Sequence, residues 1–263
     1  MNERKLVQLE KVSLKYGAGA NQTLALDGID LDIRAGEFIA VVGPSGCGKS
    51  TLMKIISGLV RVSDGVALVE GREIAGPLKS VGMAFQASNL LPWRTTADNV
   101  MLPLEVVEPH KRRINSERKQ YEAKVEALLD RVGLKGFGGK YPWELSGGMQ
   151  QRTSICRALI HEPDILLLDE PFGALDAFTR EELWCTLRDL HAERGVTVML
   201  VTHDLREAAF LADTVYVFSP RPGRIVLRQP IDFARPRDLS LTYSTEFSET
   251  VQLLRRHIQH QFA

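Results

Sequence analysis

The sequence predicts an α/β protein whose core sheet is mostly parallel. Three apolar stretches, at 38–42, 165–168 and 196–201, have the length and composition of strands that are buried on both faces. Helical stretches separate these strands, and such alternation is typical of a parallel sheet with helices on its faces. Near the amino terminus the strand-like segments alternate instead between apolar and polar residues. They predict a separate antiparallel β subdomain.

The amino-terminal third contains the strands of that subdomain and the first core strand. Segments 6–14 and 26–33 are predicted as strands, and 66–70 is expected to lie beside them. The core strand 38–42 leads into a glycine-rich loop and then into a helix near 49–57.

The middle of the chain is predicted to be a helical insert. A short strand at 81–85 ends at Gln86, and from about 87 to 160 the charge content rises and helical periodicity dominates. We expect an amphipathic helix at 116–132 and another helix from Met149 to Ile160.

The last third returns to the core pattern and ends in a helical tail. After strand 165–168 we expect helices near 178–192 and 205–212 and strands at 196–201, 214–218 and 224–227. The tail, at about 240–263, has apolar residues at Phe247, Val251, Leu254 and Ile258. This spacing favours a helix that packs on the chain's own domain over one that contacts a partner. We expect a single domain over 1–263.

Composition narrows the classes of function. The 263 residues include 33 Lys and Arg against 33 Asp and Glu, so net charge gives no support to general nucleic-acid binding. Cys47, Cys156 and Cys185 lack metal-ligand or disulfide-framework spacing and suit a reducing compartment. The start does not have a signal-peptide pattern, and the apolar runs are too short to span a bilayer. A role at a membrane would therefore require docking to another protein.

A phosphate-binding loop follows the first core strand. The segment Gly43-Pro44-Ser45-Gly46-Cys47-Gly48-Lys49-Ser50 fits the pattern G-x-x-x-x-G-K-[ST] between a buried strand and a helix. Its backbone N–H groups form an anion nest, Lys49 reaches the terminal phosphates, and Ser50 places a hydroxyl on Mg²⁺. Thr51 is a further candidate phosphate contact, and Cys47 is interpreted as a tolerated small residue. The motif makes the predicted fold that of a P-loop NTPase.

Two adjacent carboxylates end the strand 165–168. This buried strand delivers Asp169 and Glu170 to the carboxyl edge of the sheet, where ligands bind. Asp169 is suited to hold Mg²⁺ through water, and Glu170 is suited to polarise an attacking water.

A second phosphate-facing element is predicted at Leu145-Ser146-Gly147-Gly148-Met149-Gln150-Gln151-Arg152. Ser146 is a favoured helix N-cap, and the start of a helix presents unpaired N–H groups and partial positive charge. The two glycines allow close approach of a polyphosphate. Alone, such an octet favours an ordinary capped helix; beside the phosphate loop and the paired acids, it favours a nucleotide contact.

Together these motifs resemble those of the ATP-binding subunits of ABC transporters. The phosphate loop, the octet as signature motif and the strand ending in Asp169 and Glu170 occur in that family's order and relative spacing, and the resemblance covers about residues 5–230. It implies ATP and Mg²⁺ as cofactors. Because no catalytic motif position is missing, we expect an active ATPase. Thr153 and Cys156 depart from the family's frequent Val or Ala, at positions predicted to pack on a helix.

The resemblance assigns further roles residue by residue. Tyr16 matches the aromatic residue that stacks on adenine, with a core strand tyrosine as the alternative. Gln86 matches the loop glutamine that senses Mg²⁺ and water, and His203 matches the histidine that contacts the γ-phosphate. The implied catalytic set is Glu170, His203, Gln86 and Lys49, and the implied Mg²⁺ set is Ser50, Gln86 and Asp169. The remaining histidines are interpreted as surface or core residues: His110, His161, His191, His257 and His260.

The family also implies a head-to-tail homodimer. Each ATP would lie between the phosphate loop of one copy and, in trans, Ser146, Gly147, Gly148, Gln150 and Asp176 of the other. ATP binding would close the dimer, and hydrolysis would open it and rock the attached membrane subunits.

Weaker features resemble those of importers of the nitrate, sulfonate, taurine, bicarbonate and thiamine-precursor type. They are the segments 89–94, 171–180 and 219–225. This group implies integral membrane permease subunits and, indirectly, a periplasmic or extracellular solute-binding protein as partners. It implies no nucleic acid, and it places the chain peripherally on the cytoplasmic face of the inner (plasma) membrane.

For two segments of the predicted helical insert, the sequence leaves two interpretations open. Leu90, Leu91 and Trp93 are either buried within the helical insert or part of a groove for a short permease helix. The basic run 111–113 is either a solvated helix flank or a neighbour of lipid headgroups.

Two other functions compete with transport. An ABC ATPase that acts on nucleic acid or the ribosome would normally carry a long coiled-coil insertion or two ATPase cassettes. A P-loop kinase for small molecules would not need the octet, Gln86 and His203 in this order.

Overall fold

The computed structural model describes residues 4–17, 19 and 22–259. The strands in this part of the chain are β1 Lys5–Tyr16, β2 Thr23–Arg34, β3 Phe38–Val42, β4 Asp64–Val69, β5 Arg72–Glu73, β6 Val81–Ala84, β7 Ile165–Asp169, β8 Thr197–Val201, β9 Thr214–Phe218 and β10 Ile225–Pro230. The α-helices are α1 Lys49–Ile56, α2 Thr96–Met101, α3 His110–Arg113, α4 Arg118–Arg131, α5 Gly147–Leu159, α6 Ala177–Arg194, α7 Leu205–Leu211 and α8 Thr245–Gln259.

The chain divides into two compact units. The first is formed by 1–78 and 188–263, and the second by 79–187. The predicted helical insert, 87–160, lies inside the second unit, which extends further in both directions. The reason is that β6 and β7 pair with each other and pack against α5.

An antiparallel sheet in the first unit confirms the predicted amino-terminal β subdomain. Its strand order is β2-β1-β4-β5, and Leu9 of β1 pairs with Leu31 on one side and Ala67 on the other. The pairing with β2 shifts register between Leu9 and Val12, and Lys11 has a φ of 50° there. These irregularities account for the loose alternation of apolar residues in β1.

The parallel core of the first unit is built around β3. This strand pairs in parallel with β8 and β9, so Ala40 faces Leu200 on one side and Val215 on the other. All residues of β3, β8 and β9 are buried, as expected for strands covered on both faces. Strand β10 pairs antiparallel with β9. The prediction of an α/β fold with a mostly parallel core sheet is confirmed.

The carboxy-terminal helix α8 packs on α7 and β9 of its own unit, as the sequence predicts. Phe247 and Leu254 are fully buried, and Val251 and Ile258 are half-buried. The remainder of the predicted tail, 260–263, lies outside the described residues.

The second unit carries the parallel pair β6 and β7 together with helices α2, α4 and α5. The pairing of Ala84 with Leu168 brings the carboxyl ends of both strands to one edge. Helices α2 and α4 pack on α5, which confirms the helical character of this region. Helix α4 corresponds to the helix predicted at 116–132. Of the helices that the structure describes in either unit, none has the length and apolarity needed to cross a membrane.

Candidate nucleotide site

The phosphate loop of the first unit has a backbone that requires glycine. Gly46 and Gly48 have φ values of 73° and 108°, in the left-handed region. A Cβ added at Gly48 would lie 2.6 Å from Leu26 Cδ2 and 3.0 Å from the carbonyl oxygen of Ala25. A side chain there would therefore meet both strain and a steric clash.

Lys49 lies folded along the same loop. Its side-chain Nζ donates hydrogen bonds to the carbonyl oxygens of Gly43 and Pro44, at 2.9 Å each, and the residue is 6% exposed. The ammonium group therefore stays with the loop backbone, next to the start of α1. Helix α1 begins directly after Gly48, which has no side chain to cap the first N–H groups. These N–H groups and the ammonium form a region of positive potential suited to phosphate.

The residues beside Lys49 lie in the loop and in the first turn of α1. Ser50 and Thr51 are half-buried in the first turn of α1. Cys47 is buried, its Sγ lies 4.0 Å from Lys49 Nζ, and burial raises the pKa of its thiol. A thiol that stays protonated at neutral pH fits the interpretation of Cys47 as a tolerated small residue.

Tyr16 is not a core residue. It ends β1 with 41% of its surface exposed, and its hydroxyl lies 3.4 Å from Thr51 Oγ1. The alternative of a buried strand tyrosine is therefore wrong, and the ring is accessible to a nucleobase.

His203 is exposed in the first unit, between the end of β8 and the start of α7. The other described histidines have structural environments. His161 and His191 are buried, and burial lowers the pKa of both rings. His110 and His257 are half-buried and hydrogen-bonded to Tyr121 and to the carbonyl oxygen of Leu253. His260 lies outside the described residues.

The paired acids of the second unit lie where β7 ends. Asp169 is 7% exposed and Glu170 is half-buried. Gln86 follows the neighbouring strand β6, is exposed, and its Nε2 donates to Glu170 Oε2 at 3.2 Å. Glu170 has a φ of 47°, a conformation that non-glycine residues rarely adopt. The structure thus brings the side chains of Gln86 and Glu170 together.

The signature octet forms a capped helix start. Ser146 has an extended backbone, and its Oγ accepts a hydrogen bond from the N–H of Met149 at 3.3 Å. A Cβ on Gly148 would lie 2.7 Å from Leu175 Cδ2, whereas the nearest atom to one on Gly147 is 3.9 Å away. A side chain at Gly148 would therefore require Leu175 to move, whereas a Cβ at Gly147 would make only an ordinary contact with Ala174. The helix-cap and anion-site interpretations of Ser146 are compatible, because one cap leaves other first-turn N–H groups available.

Gln150 is committed to contacts inside its own chain. Its Nε2 donates to the carbonyl oxygens of Pro142 and Leu145, and its Oε1 accepts from Ser88 Oγ at 3.1 Å. A nucleotide contact in trans by this amide would require one of these bonds to break.

Asp176 caps helix α6. Its carboxylate accepts from the N–H of Thr179 at 3.1 Å and from Thr179 Oγ1 at 2.7 Å. These hydrogen bonds lower the pKa of Asp176, which is exposed and remains available for a further contact.

The structure partly distinguishes between the interpretations of the apolar segment around Trp93 and of the basic run 111–113. Trp93 is 71% exposed, so burial within the insert does not explain it, whereas Leu90 and Leu91 are half-buried. In the basic run, Arg112 and Arg113 form ion pairs with Glu108 and Glu117. This pairing favours a solvated helix flank.

The sequence analysis did not identify the side chains that hold the loop after Gln86 and the segment around His203. Arg157 of α5 donates to the carbonyl oxygens of Ser88 and Asn89, at 2.6 and 2.9 Å, in the loop after Gln86. Thr202 and Glu207, on either side of His203, form a buried hydrogen bond. No pattern in the sequence signals Arg157, because its partners are backbone carbonyl groups.

Comparisons with known proteins agree with these motifs. The family model described as ABC transporter matches residues 26–173. The chain is 43% identical over 247 residues to the aliphatic sulfonates import ATP-binding protein SsuB of Bacillus licheniformis, covering 94% of this chain and 90% of the relative. It is 42% identical over 230 residues to the taurine import ATP-binding protein TauB of Escherichia coli O157:H7, covering 88% of this chain and 86% of that protein.

A solved structure shows the same fold. The dimeric post-hydrolysis state of the ATP-binding cassette MJ0796, bound to ADP and Pi, superposes with a TM-score of 0.75 at 31% identity, covering 87% of this chain and 100% of that chain. The predicted P-loop NTPase fold is thereby confirmed. The chain belongs to the ABC transporter family, and it is an ATPase of the kind that is coupled to transport.

Proposed function

We propose that this chain energises solute import through a membrane permease. The observation that carries the proposal is the phosphate loop, where the ammonium of Lys49 and the uncapped start of α1 are suited to bind an anion. The names of the relatives, which concern import of aliphatic sulfonates and taurine, support the direction of transport. Nothing among these relatives favours a role on nucleic acid or the ribosome.

We assign the ATP contacts by the chemistry of the side chains. In the first unit Lys49 would neutralise the terminal phosphates, Tyr16 would stack on adenine, and His203 would contact the γ-phosphate. In the second unit Glu170 would polarise the attacking water, oriented by the amide of Gln86. The remaining phosphate contacts would come from the loop: Gly43, Pro44, Ser45, Gly46, Cys47, Gly48, Ser50 and Thr51.

The proposed Mg²⁺ ligands are suited to that ion. A carboxylate at Asp169, a hydroxyl at Ser50 and an amide oxygen at Gln86 are hard oxygen donors, which Mg²⁺ prefers. The ion would neutralise phosphate charge. Asp169 is 7% exposed at the end of β7, so its carboxylate is not a freely solvated surface group.

We further propose that the working unit is a head-to-tail homodimer. The exposure of Ser146, Gly147 and Asp176 fits contacts to a nucleotide held by a second copy. Gly148 would present its N–H there, and Gln150 would act by holding the signature loop through Pro142 and Leu145.

The same proposal names the other components. The chain would lie on the cytoplasmic face of the inner membrane and bind a permease, which works with a periplasmic or extracellular solute-binding protein. The exposed Trp93, with Leu90 and Leu91, would receive a short cytoplasmic helix of the permease. The other subunits would select the solute, and the relatives point to small organic sulfonates.

Growth on organosulfonates tests this function. A source strain that lacks the chain should fail to grow on taurine or an alkanesulfonate as sole sulfur source, yet grow normally on sulfate. The wild-type chain should restore growth, whereas Glu170→Gln should not. Normal organosulfonate use by the deletion strain would refute the sulfonate assignment.

A further inference from the structure

The segment around His203 is anchored on both sides. Thr202, which directly follows β8, donates its backbone N–H to the carbonyl oxygen of Val41 in β3 at 3.2 Å. Asp204 caps α7 by accepting from the N–H of Arg206 at 2.8 Å. The exposed His203 therefore lies between a residue fixed to the sheet and a residue fixed to a helix.

One hydroxyl connects these anchors. Thr202 Oγ1 donates to Glu207 Oε2 at 2.5 Å and accepts from the backbone N–H of Asp204 at 3.0 Å. Thr202 is 2% exposed and Glu207 is 4% exposed, so the carboxyl group is buried in the first turn of α7. The Thr202 hydroxyl therefore links the residue after β8 to Asp204 and to helix α7.

Stability alone is a poor reason for this arrangement. Burying a carboxyl group is costly unless it is well paired, and an apolar pair of similar volume is often at least as stable. The polar pair fixes the orientation of the backbone, because its hydrogen bonds hold the residues on both sides of His203. A displacement of a catalytic group by about 1 Å can lower the rate roughly 100-fold.

We propose that Thr202 and Glu207 are positioning residues for ATP hydrolysis, which hold His203 in the orientation that meets the γ-phosphate. The inference deepens the proposed function, since it rests on the role of His203 there. Neither side chain touches the nucleotide in this proposal. They act through the backbone of the segment 202–204.

The test compares matched variants of the full chain. Thr202→Val keeps the shape and removes the hydroxyl, whereas Thr202→Ser keeps the hydroxyl. We expect Thr202→Val to lower kcat for Mg-ATP about tenfold, with KM within about twofold, and Thr202→Ser to recover most of the rate. An unchanged kcat in Thr202→Val would overturn the proposal.

A double-mutant cycle separates positioning from general destabilisation. In a His203→Ala background, where residual turnover is followed over hours, Thr202→Val should cause no further loss. An equal fold-loss in both backgrounds would overturn the proposal. If His203→Ala alone left kcat unchanged, the role proposed for His203 would itself fail, and the inference with it.

If Thr202→Val does not fold, Glu207→Asp is a second variant for the same test. It keeps a carboxyl group in α7 but shortens the side chain by one methylene, so the group no longer reaches Thr202 Oγ1. The expected result is again a fall in kcat that disappears in the His203→Ala background. A fall of equal size in both backgrounds would count against positioning.

Discussion

At the scale of single residues, Lys49 has a preorganised ammonium group. Two carbonyl oxygens, each 2.9 Å from Nζ, fix the position of the ammonium group inside the phosphate loop. Such preorganised groups cost little reorganisation when charge develops in the transition state.

Lys49→Ala should lower ATP turnover by at least about 100-fold, the loss typical of a removed preorganised donor. The measurement is phosphate release from Mg-ATP by the purified chain. Lys54→Ala is the matched control, because Lys54 lies on the same helix α1 with an exposed side chain. It should keep turnover within about twofold, since its loss removes only a weak interaction with the helix dipole. Similar rates for Lys49→Ala and wild type would refute the assignment of the loop.

Glu170→Gln should bind ATP but hydrolyse it slowly, because an amide cannot accept the proton of the attacking water. We expect the ATP-bound variant to elute as a dimer in gel filtration, since the closed state is no longer released. Glu162→Gln is a suitable control: Glu162 also has a left-handed backbone, with φ 54°, and lies in the same unit. A Glu170→Gln chain that stays monomeric with ATP would contradict the water-polarising role.

At the scale of elements, helix α7 depends on a buried arginine. Arg237, 2% exposed, donates to the carbonyl oxygens of Phe210 and Ala212 at the end of α7 and to that of Ile231. Burial lowers the pKa of its guanidinium to about 10, so it remains charged at neutral pH. A positive charge at the carboxyl end of a helix is favourable, and the donors satisfy carbonyl groups that the helix leaves free.

Arg237→Met should therefore lower the free energy of unfolding by about 2–4 kcal/mol, because several buried carbonyl groups lose their donor together. Urea unfolding of the full chain measures this change. Arg206→Met, at an exposed position of the same helix, should change it by less than about 1 kcal/mol. Equal effects of the two substitutions would show that Arg237 does not stabilise α7.

The same elements show what the sequence alone can predict. Buried strands such as β3 are recognisable because every residue is apolar, and the phosphate loop is recognisable because its glycines and Lys49 have fixed spacing. The bulge near Lys11, the exposure of Trp93 and the carbonyl partners of Arg237 are set by tertiary packing. Backbone carbonyl groups carry no residue identity, so a side chain that binds them leaves no motif.

At the scale of the whole molecule, the proposed function requires two copies of the chain. The phosphate loop and the signature octet both suit phosphate, yet they belong to different compact units. In the proposed head-to-tail dimer, each nucleotide uses the loop of one copy and the octet of the other. A chain with one defective element would then remain able to complete a site on a partner that has the opposite defect.

Mixing two variants in a Glu170→Gln background tests this arrangement. One carries Lys49→Ala, and the other carries Ser146→Asp. Asp is as good an N-cap as Ser, so α5 keeps its cap while the new carboxylate repels phosphate. Each variant alone should stay monomeric with ATP, because neither can form a complete site. The mixture should form a heterodimer with one ATP per two chains, detected by native mass spectrometry. A dimer of either variant alone, or no heterodimer while the Glu170→Gln parent dimerises, would rule out sharing of the site between copies.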